Sequence, residues 1–350
     1  MKKSLLALAL FGAFAGVASA QSSVTIYGAL DAGVQKSTGT TTSIGKSDNN
    51  KLGFKGVEDL GNGLKALFQL EVRFEPDTGT VESDSKGNQR PLFQGESRVG
   101  LQGDFGTVRL GRGKSAFQDS SAAFEPWNGM GNAGAGFQSD LQVAGFNSDP
   151  LSPTGNSKNR LSNAVFYNTP VISGFQANVS VATKEANNGP AIVGTGTVLA
   201  PQFAANSEAR VTPYSLSATY NNGPFAGMAA YERNGVEEKV WSLAASFNPI
   251  SDLKLMASYQ KQDQGSTKLV NPNTKAWILG ANYTIGASKI LAGYGQKSPD
   301  GAEKIKQASL GYEYSLSKRT YVYADVSNKK QPAAAVTSVN YYGVGVHHNF

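Results

Sequence analysis

Basic side chains recur among apolar ones at alternating positions: Lys51 and Lys55 interleave with Leu52 and Phe54, Arg73 lies between Val72 and Phe74, Arg98 precedes Val99, and Arg109 separates Val108 from Leu110. In an extended chain successive side chains point to opposite faces, so the charges gather on one surface and the apolar residues on the other. A row of fixed cations performs no covalent chemistry; it imposes a field on ions that pass it. Matching acids would come from the long polar stretch 113–159, where Asp119 and Glu125 are the first candidates and Asp140 a lesser one. Arg112 and Lys114, where strand gives way to that stretch, would tie it to the wall through ion pairs worth on the order of 1 kcal/mol at partial burial.

Groups suited to catalysis are scarce. The two histidines, His347 and His348, are adjacent near the end of the chain, and no Gly-x-Ser-x-Gly elbow accompanies them. There is no cysteine, hence no thiolate chemistry, no disulfide and no cysteine metal site. No cofactor or metal is expected, and a Ca²⁺ ion held by loop carboxylates has no support in their spacing. Nucleic-acid binding is disfavoured because the cations alternate into a wall instead of forming an exposed patch.

The elements that must position these charges are strands. Over 64–74 the even positions are Leu64, Ala66, Phe68, Leu70, Val72 and Phe74, while Lys65, Gln69, Glu71 and Arg73 lie between them. The same two-residue period sets Val24, Ile26, Leu30 and Val34 against Thr25, Tyr27, Asp31 and Gln35, and Phe175, Val179 and Val181 against Gln176, Asn178 and Ser180. Such runs last about ten residues, the length that crosses a bilayer at a tilt, whereas strands of soluble sandwiches average five or six.

Seven short turns, at 59–63, 104–106, 171–174, 221–224, 248–252, 285–288 and 315–318, alternate with longer polar stretches at 37–50, 77–89, 186–210, 234–238, 263–273, 298–303 and 328–335. With 113–159 these make eight long loops. Eight loops and seven turns connect sixteen strands, the even number that an antiparallel barrel with both ends on one side requires. The expected fold is all-β: a transmembrane antiparallel barrel of sixteen strands, with short turns facing the periplasm and long loops the exterior.

The first twenty residues differ from the rest. Lys2 and Lys3 lead an apolar run, 5–17, that closes on Ala18-Ser19-Ala20, the pattern of a cleaved signal peptide. The run is about a dozen residues, short of the roughly 20 a spanning helix needs. Domains are therefore expected at 1–20, a leader, and 21–350, one barrel. Removing Lys2 and Lys3 lowers the formal net charge of +6 by two. Forty glycines, 10% aromatics and a mean hydropathy of −0.29 are too polar for a helical membrane protein but suit a barrel, where every second residue faces lipid. Phe54, Phe74, Trp241, Phe247, Tyr283 and Tyr342 read as interfacial girdle residues, and Tyr342, Val344, Val346, His348 and Phe350 form one face of a last strand ending on an aromatic.

Four segments carry a family resemblance: Glu58-Asp59-Leu60-Gly61-Asn62-Gly63-Leu64-Lys65-Ala66, Phe105-Gly106-Thr107-Val108-Arg109-Leu110-Gly111-Arg112, Leu316-Ser317-Lys318-Arg319-Thr320 and Gly345-Val346-His347-His348-Asn349-Phe350. In that order they resemble the general diffusion porins of neisserial and other β-proteobacterial outer membranes. The resemblance implies a homotrimer of sixteen-stranded barrels with the third loop folded inward, set among outer-membrane lipid and lipopolysaccharide and passing ions and small hydrophilic solutes. It also implies pore positions for Lys51, just before the second strand's Leu-Gly pair, and for Arg160, which opens the strand after the long loop. Where the family often has another arginine this chain has Glu96. Arg98 follows two residues on, a shift of about 7 Å along the wall.

The implied function is passive diffusion with a mild anion preference, set by a basic wall of Lys51, Arg98, Arg109, Arg112 and Arg160 facing the acids Asp119, Glu125 and Glu96. A substrate-selective channel would show a track of inward aromatics, for which Tyr27, Tyr321 and Tyr323 are few. A surface adhesin would tolerate a plugged lumen.

Overall fold

The two-residue alternation builds a continuous antiparallel wall. The computed structural model describes residues 23–83, 90–130, 134–152, 158–186, 208–265, 272–331 and 337–350. The leader expected at 1–20 and parts of the loops expected at 77–89, 186–210, 263–273 and 328–335 lie outside the described residues.

The strands are β1 (Ser23–Ser37), β2 (Ser43–Gly45), β3 (Lys51–Gly61), β4 (Leu64–Glu75), β5 (Thr80–Val81), β6 (Glu96–Gly103), β7 (Gly106–Lys114), β8 (Arg160–Asn168), β9 (Phe175–Ala182), β10 (Tyr214–Asn222), β11 (Phe225–Arg233), β12 (Lys239–Ile250), β13 (Leu253–Asp263), β14 (Thr274–Ile285), β15 (Ser288–Pro299), β16 (Ile305–Ser315), β17 (Thr320–Lys330) and β18 (Ser338–Asn349). β2 and β5, of three and two residues, are loop-borne additions. The other sixteen form the wall, each paired antiparallel with its neighbours. β1 pairs with β3 on one side and with β18 on the other, Ala29↔Asn349 through Ser37↔Tyr341, so the sheet closes on itself and leaves no edge.

All seven expected short turns join neighbouring wall strands. In the β3–β4 hairpin Asn62 and Gly63 adopt φ of 51° and 77°, the left-handed pair that an Asn-Gly turn supplies. The expected outward face is exposed: Val24 at 66%, Val344 at 55%, and Tyr342, Val346 and Phe350 with it. An apolar exterior of this extent is stable in hydrocarbon, not in water.

The described residues between Ser115 and Asn159 enter the barrel and have their own core. Helix α1 (Ala116–Ser121) starts at Ser115, whose hydroxyl accepts from the Gln118 amide at 3.3 Å. Two further N-terminal amides donate to the wall: Ala116 N to Ser180 Oγ at 3.0 Å and Phe117 N to Ser215 Oγ at 2.8 Å. The orphan donors of a helix start are thus met by serines of β9 and β10.

Phe117, Phe124, Val143 and Phe146 then pack on Met228, Ala230, Val240 and Ala244, and Trp127, Phe137 and Leu141 pack on Ile278 and Leu291. Each buried large side chain contributes about 1.5–3 kcal/mol. The loop's apolar side chains therefore lie against the inside of β11, β12, β14 and β15, while polar contacts such as Gln307 to the Ala135 carbonyl at 3.1 Å tie it to the wall beyond them.

Candidate functional site

Beside that packed side lies a cleft of about 560 Å³, bounded by α1 and by inward residues from β4 round to β13. Its cations are Arg98, Arg109, Lys114 and Lys254, and Asp119 on α1 is the carboxylate among the described lining residues. Uncharged polar groups, among them Asn168, Gln176, Asn178, Thr219 and Ser246, make up much of the remaining wall.

The cations are held in place. Arg98 donates to Gln69 Oε1 from Nη2 at 2.9 Å and from Nε at 3.2 Å, and its guanidinium stands 5.9 Å from the Phe166 ring. Arg109 donates to Asn168 Oδ1, Asn168 Nδ2 donates in turn to Asn178 Oδ1, and Asn178 Nδ2 donates to Ser217 Oγ at 3.1 Å. Lys254 reaches across from β13 and donates to the Ala123 carbonyl at 2.8 Å, joining the wall to the loop's inner edge. Lys114 stands 3.7 Å from Asp119, whose side chain is 69% exposed to the cleft. Fixed charges that need no reorganisation act on a passing ion at full strength where the surroundings are partly dehydrated.

Arg98, Arg109 and Asp119 thus meet at one cleft, and the other expected residues lie elsewhere. Arg160 is 1% exposed and spent on the Gly95 carbonyl, on Asn159 Oδ1 at 2.7 Å and on Glu96 at 3.9 Å. Glu96 is buried between Arg160 and Arg98, at 3.3 Å from the latter, and faces them rather than the cleft. Arg112 donates to the Gln94 carbonyl at 3.0 Å and to Ser162 Oγ at 2.6 Å.

A bulge between Gly111 and Gly113 interrupts the β7–β8 register at Arg112 itself. Gly111 has φ of 125°, and a Cβ there would sit 2.2 Å from the Ser97 carbonyl.

Glu125 is likewise enclosed, at 1% exposure. It accepts the Trp127 amide at 3.1 Å and the Gly129 amide, so it shapes the loop from within, and burial pushes its carboxyl up to about 7 against those hydrogen bonds. Asp140 pairs with Lys329 on β17; burial would raise its carboxyl, but that cation holds it below the ordinary value. Lys51 is half-buried beside Arg73 on the adjacent strand and does not border the cleft.

Lys254 carried a legible signal: it alternates with Leu253 and Leu255, as Lys55 does with Phe54. So did the loop's resting place, because Met228, Val240, Ile278 and Leu291 are apolar at inward positions where a wet lumen calls for polar ones.

Comparison with known proteins decides the family. Residues 5–345 match the model of the Gram-negative porins. The chain belongs to that family. A similar curated porin is outer membrane porin protein 32 of Delftia acidovorans, 30% identical over 98% of this chain and 94% of the relative. The major outer membrane protein P.IB of Neisseria lactamica is 28% identical over the whole of both chains. Among solved structures an anion-selective porin from Comamonas acidovorans superposes with a TM-score of 0.75, covering 94% of this porin and all of that chain at 24% identity. The protein is an outer-membrane porin, and its barrel is a channel wall.

Proposed function

We propose that this porin is a general diffusion channel with a mild preference for anions, and that the cleft beside α1 is its selectivity-setting constriction. The observation that supports this most is the cleft's charge: Arg98, Arg109, Lys114 and Lys254 against Asp119, on a background of amides and hydroxyls. Such a lining lowers the electrostatic barrier for small anions and offers uncharged solutes hydrogen bonds without a tight pocket. The Comamonas acidovorans porin on which this barrel superposes is anion-selective, in agreement with this reading.

Arg112, Arg160, Glu96 and Glu125 act as braces that hold the loop and wall in register, and the C-terminal face of Tyr342, Val344, Val346 and Phe350 serves membrane assembly. Residues 1–20 are removed on export and 21–350 form the working barrel. The channel assembles as a homotrimer, as the resemblance to neisserial-type porins implies, and sits among lipopolysaccharide. It moves solutes passively and needs no cofactor.

Swelling of liposomes loaded with the purified protein tests the reading. Uptake graded by size across neutral sugars, and faster for singly charged organic anions than for cations of equal size, is expected. Uptake of one compound alone would make this a substrate-selective channel, and no swelling from a correctly folded barrel would make it a plugged scaffold.

A further inference from the structure

The outer wall carries cations that the permeation path does not use. At the long-loop ends of adjoining strands, outward positions hold Arg233 on β11, Lys239 on β12, Lys261 on β13, Lys275 on β14, Lys306 on β16 and Lys330 on β17. The five lysines are exposed, and none of the six forms an ion pair among the described residues. The outward positions at the same ends of β4, β6 and β9 are Phe74, Ser97 and Val181, and Lys36 on β1 stands apart near the seam, so most of the outward charge lies on one arc.

The register makes the arrangement costly for the barrel alone. Arg233 stands directly opposite Lys239, Lys261 opposite Lys275, and Lys306 opposite Lys330. Like charges directly across a ladder repel, and three such pairs on neighbouring strands call for an outside anion. Asp263, opposite Lys239, is the acid on this rung, and its Oδ1 accepts the Gly265 amide at 3.0 Å. Arg233 is partly occupied, with its guanidinium 4.9 Å from the Tyr214 ring.

Just inside the arc, toward the middle of the wall, a shallow groove of about 780 Å³ runs over β14–β17. Ala292 and Ala308 floor it between Leu279, Tyr294, Leu310 and Val326. It lies below Lys275, Lys306 and Lys330 on the same strands. Cations at the rim and an apolar trough beneath them match one kind of molecule, a lipid with several negative charges in its headgroup.

We propose that this arc is a binding site for a lipid bearing two phosphate groups in the membrane leaflet at the long-loop end, with the phosphates between the paired cations and an acyl chain in the groove. This rests on the outer-membrane reading, with the long loops outward.

The test compares the full-length mature protein with a variant carrying Lys239→Gln, Lys261→Gln, Lys275→Gln, Lys306→Gln and Lys330→Gln. Both are reconstituted in phosphatidylcholine vesicles containing diphosphoryl lipid A or its dephosphorylated form, and retained lipid is counted by native mass spectrometry. Heat-modifiable mobility confirms that each barrel is folded.

Retention of the diphosphoryl lipid should fall at least about tenfold in the variant, given the attraction each surface cation supplies. Retention of the dephosphorylated lipid should not change. Equal retention by the two proteins, or a loss that ignores phosphate, overturns the proposal. Loss of the oligomer with lipid retention unchanged assigns the arc to a neighbouring barrel and overturns it too. Conductance is recorded in parallel: if neither protein conducts, the diffusion reading fails while the lipid result stands by itself.

Discussion

Asp31 on the first strand and His347 on the last lie 3.1 Å apart, Oδ2 to Nδ1, on the inner side of the seam that closes the barrel. The same carboxylate accepts the Tyr323 hydroxyl at 2.9 Å and the Ser47 amide at 2.8 Å, and the Tyr321 ring stacks on the histidine at 4.7 Å. Asp31 is fully buried. One carboxylate therefore gathers β1, β17, β18 and the first loop at the point where closure depends on residues far apart in sequence.

Asp31→Ala should weaken this seam. It strands three donors in a buried setting, a loss of about 1–3 kcal/mol for each that finds no water. The temperature at which the folded barrel loses its compact mobility on gels should drop clearly, while single-channel conductance of surviving barrels stays the same. An unchanged transition temperature would mean that the backbone ladder alone holds the seam.

Glu125 gives the loop a pH dependence whose sign follows from its raised carboxyl. A group at about 7 in the folded protein, against 4.5 when unperturbed, contributes its stability in full below 4.5 and loses it as pH climbs through 7. Loop anchoring should weaken between those values, seen as faster proteolysis within 115–159 at higher pH. Glu125→Gln should flatten that slope. A slope of the same size in the variant would point to another group.

Strand faces and turns were legible because a two-residue period and Asn-Gly corners such as Asn62-Gly63 and Asn222-Gly223 are local properties. Val24, Leu30, Val344 and Tyr342 are outward, and Arg98 and Arg109 inward, as their neighbours in sequence require. The loop was not legible in the same way. Whether Glu125 meets solvent or turns back to the Gly129 amide depends on how the loop is enclosed against the wall, and whether Arg160 lines the cleft or spends itself on Gly95 depends on a contact between residues far apart in the chain. Arg112, three residues beyond inward Arg109, falls on the other parity, and at the bulge there it bonds the Gln94 carbonyl and Ser162 instead of lining the cleft. Lys254 shows the opposite case: its pattern was visible, but its meeting with Ala123 from the far wall was not.

Neutralising single charges at the cleft should act in opposite directions. Asp119→Asn should raise the anion-to-cation permeability ratio and Lys254→Gln lower it, each by about two- to threefold, the effect of one partly screened charge. Bi-ionic reversal potentials provide the ratio. Equal or same-sign shifts would mean that the cleft is not the narrowest charged passage.

The most direct measurement is the reversal potential of single channels in a planar bilayer under a salt gradient, for the natural protein and for Arg98→Gln combined with Arg109→Gln. The natural channel should reverse on the anion side, and the double variant, still folded and conducting, should move toward zero or past it. A natural channel that reverses on the cation side, or a double variant that leaves the potential where it was, would contradict the assignment of selectivity to this cleft.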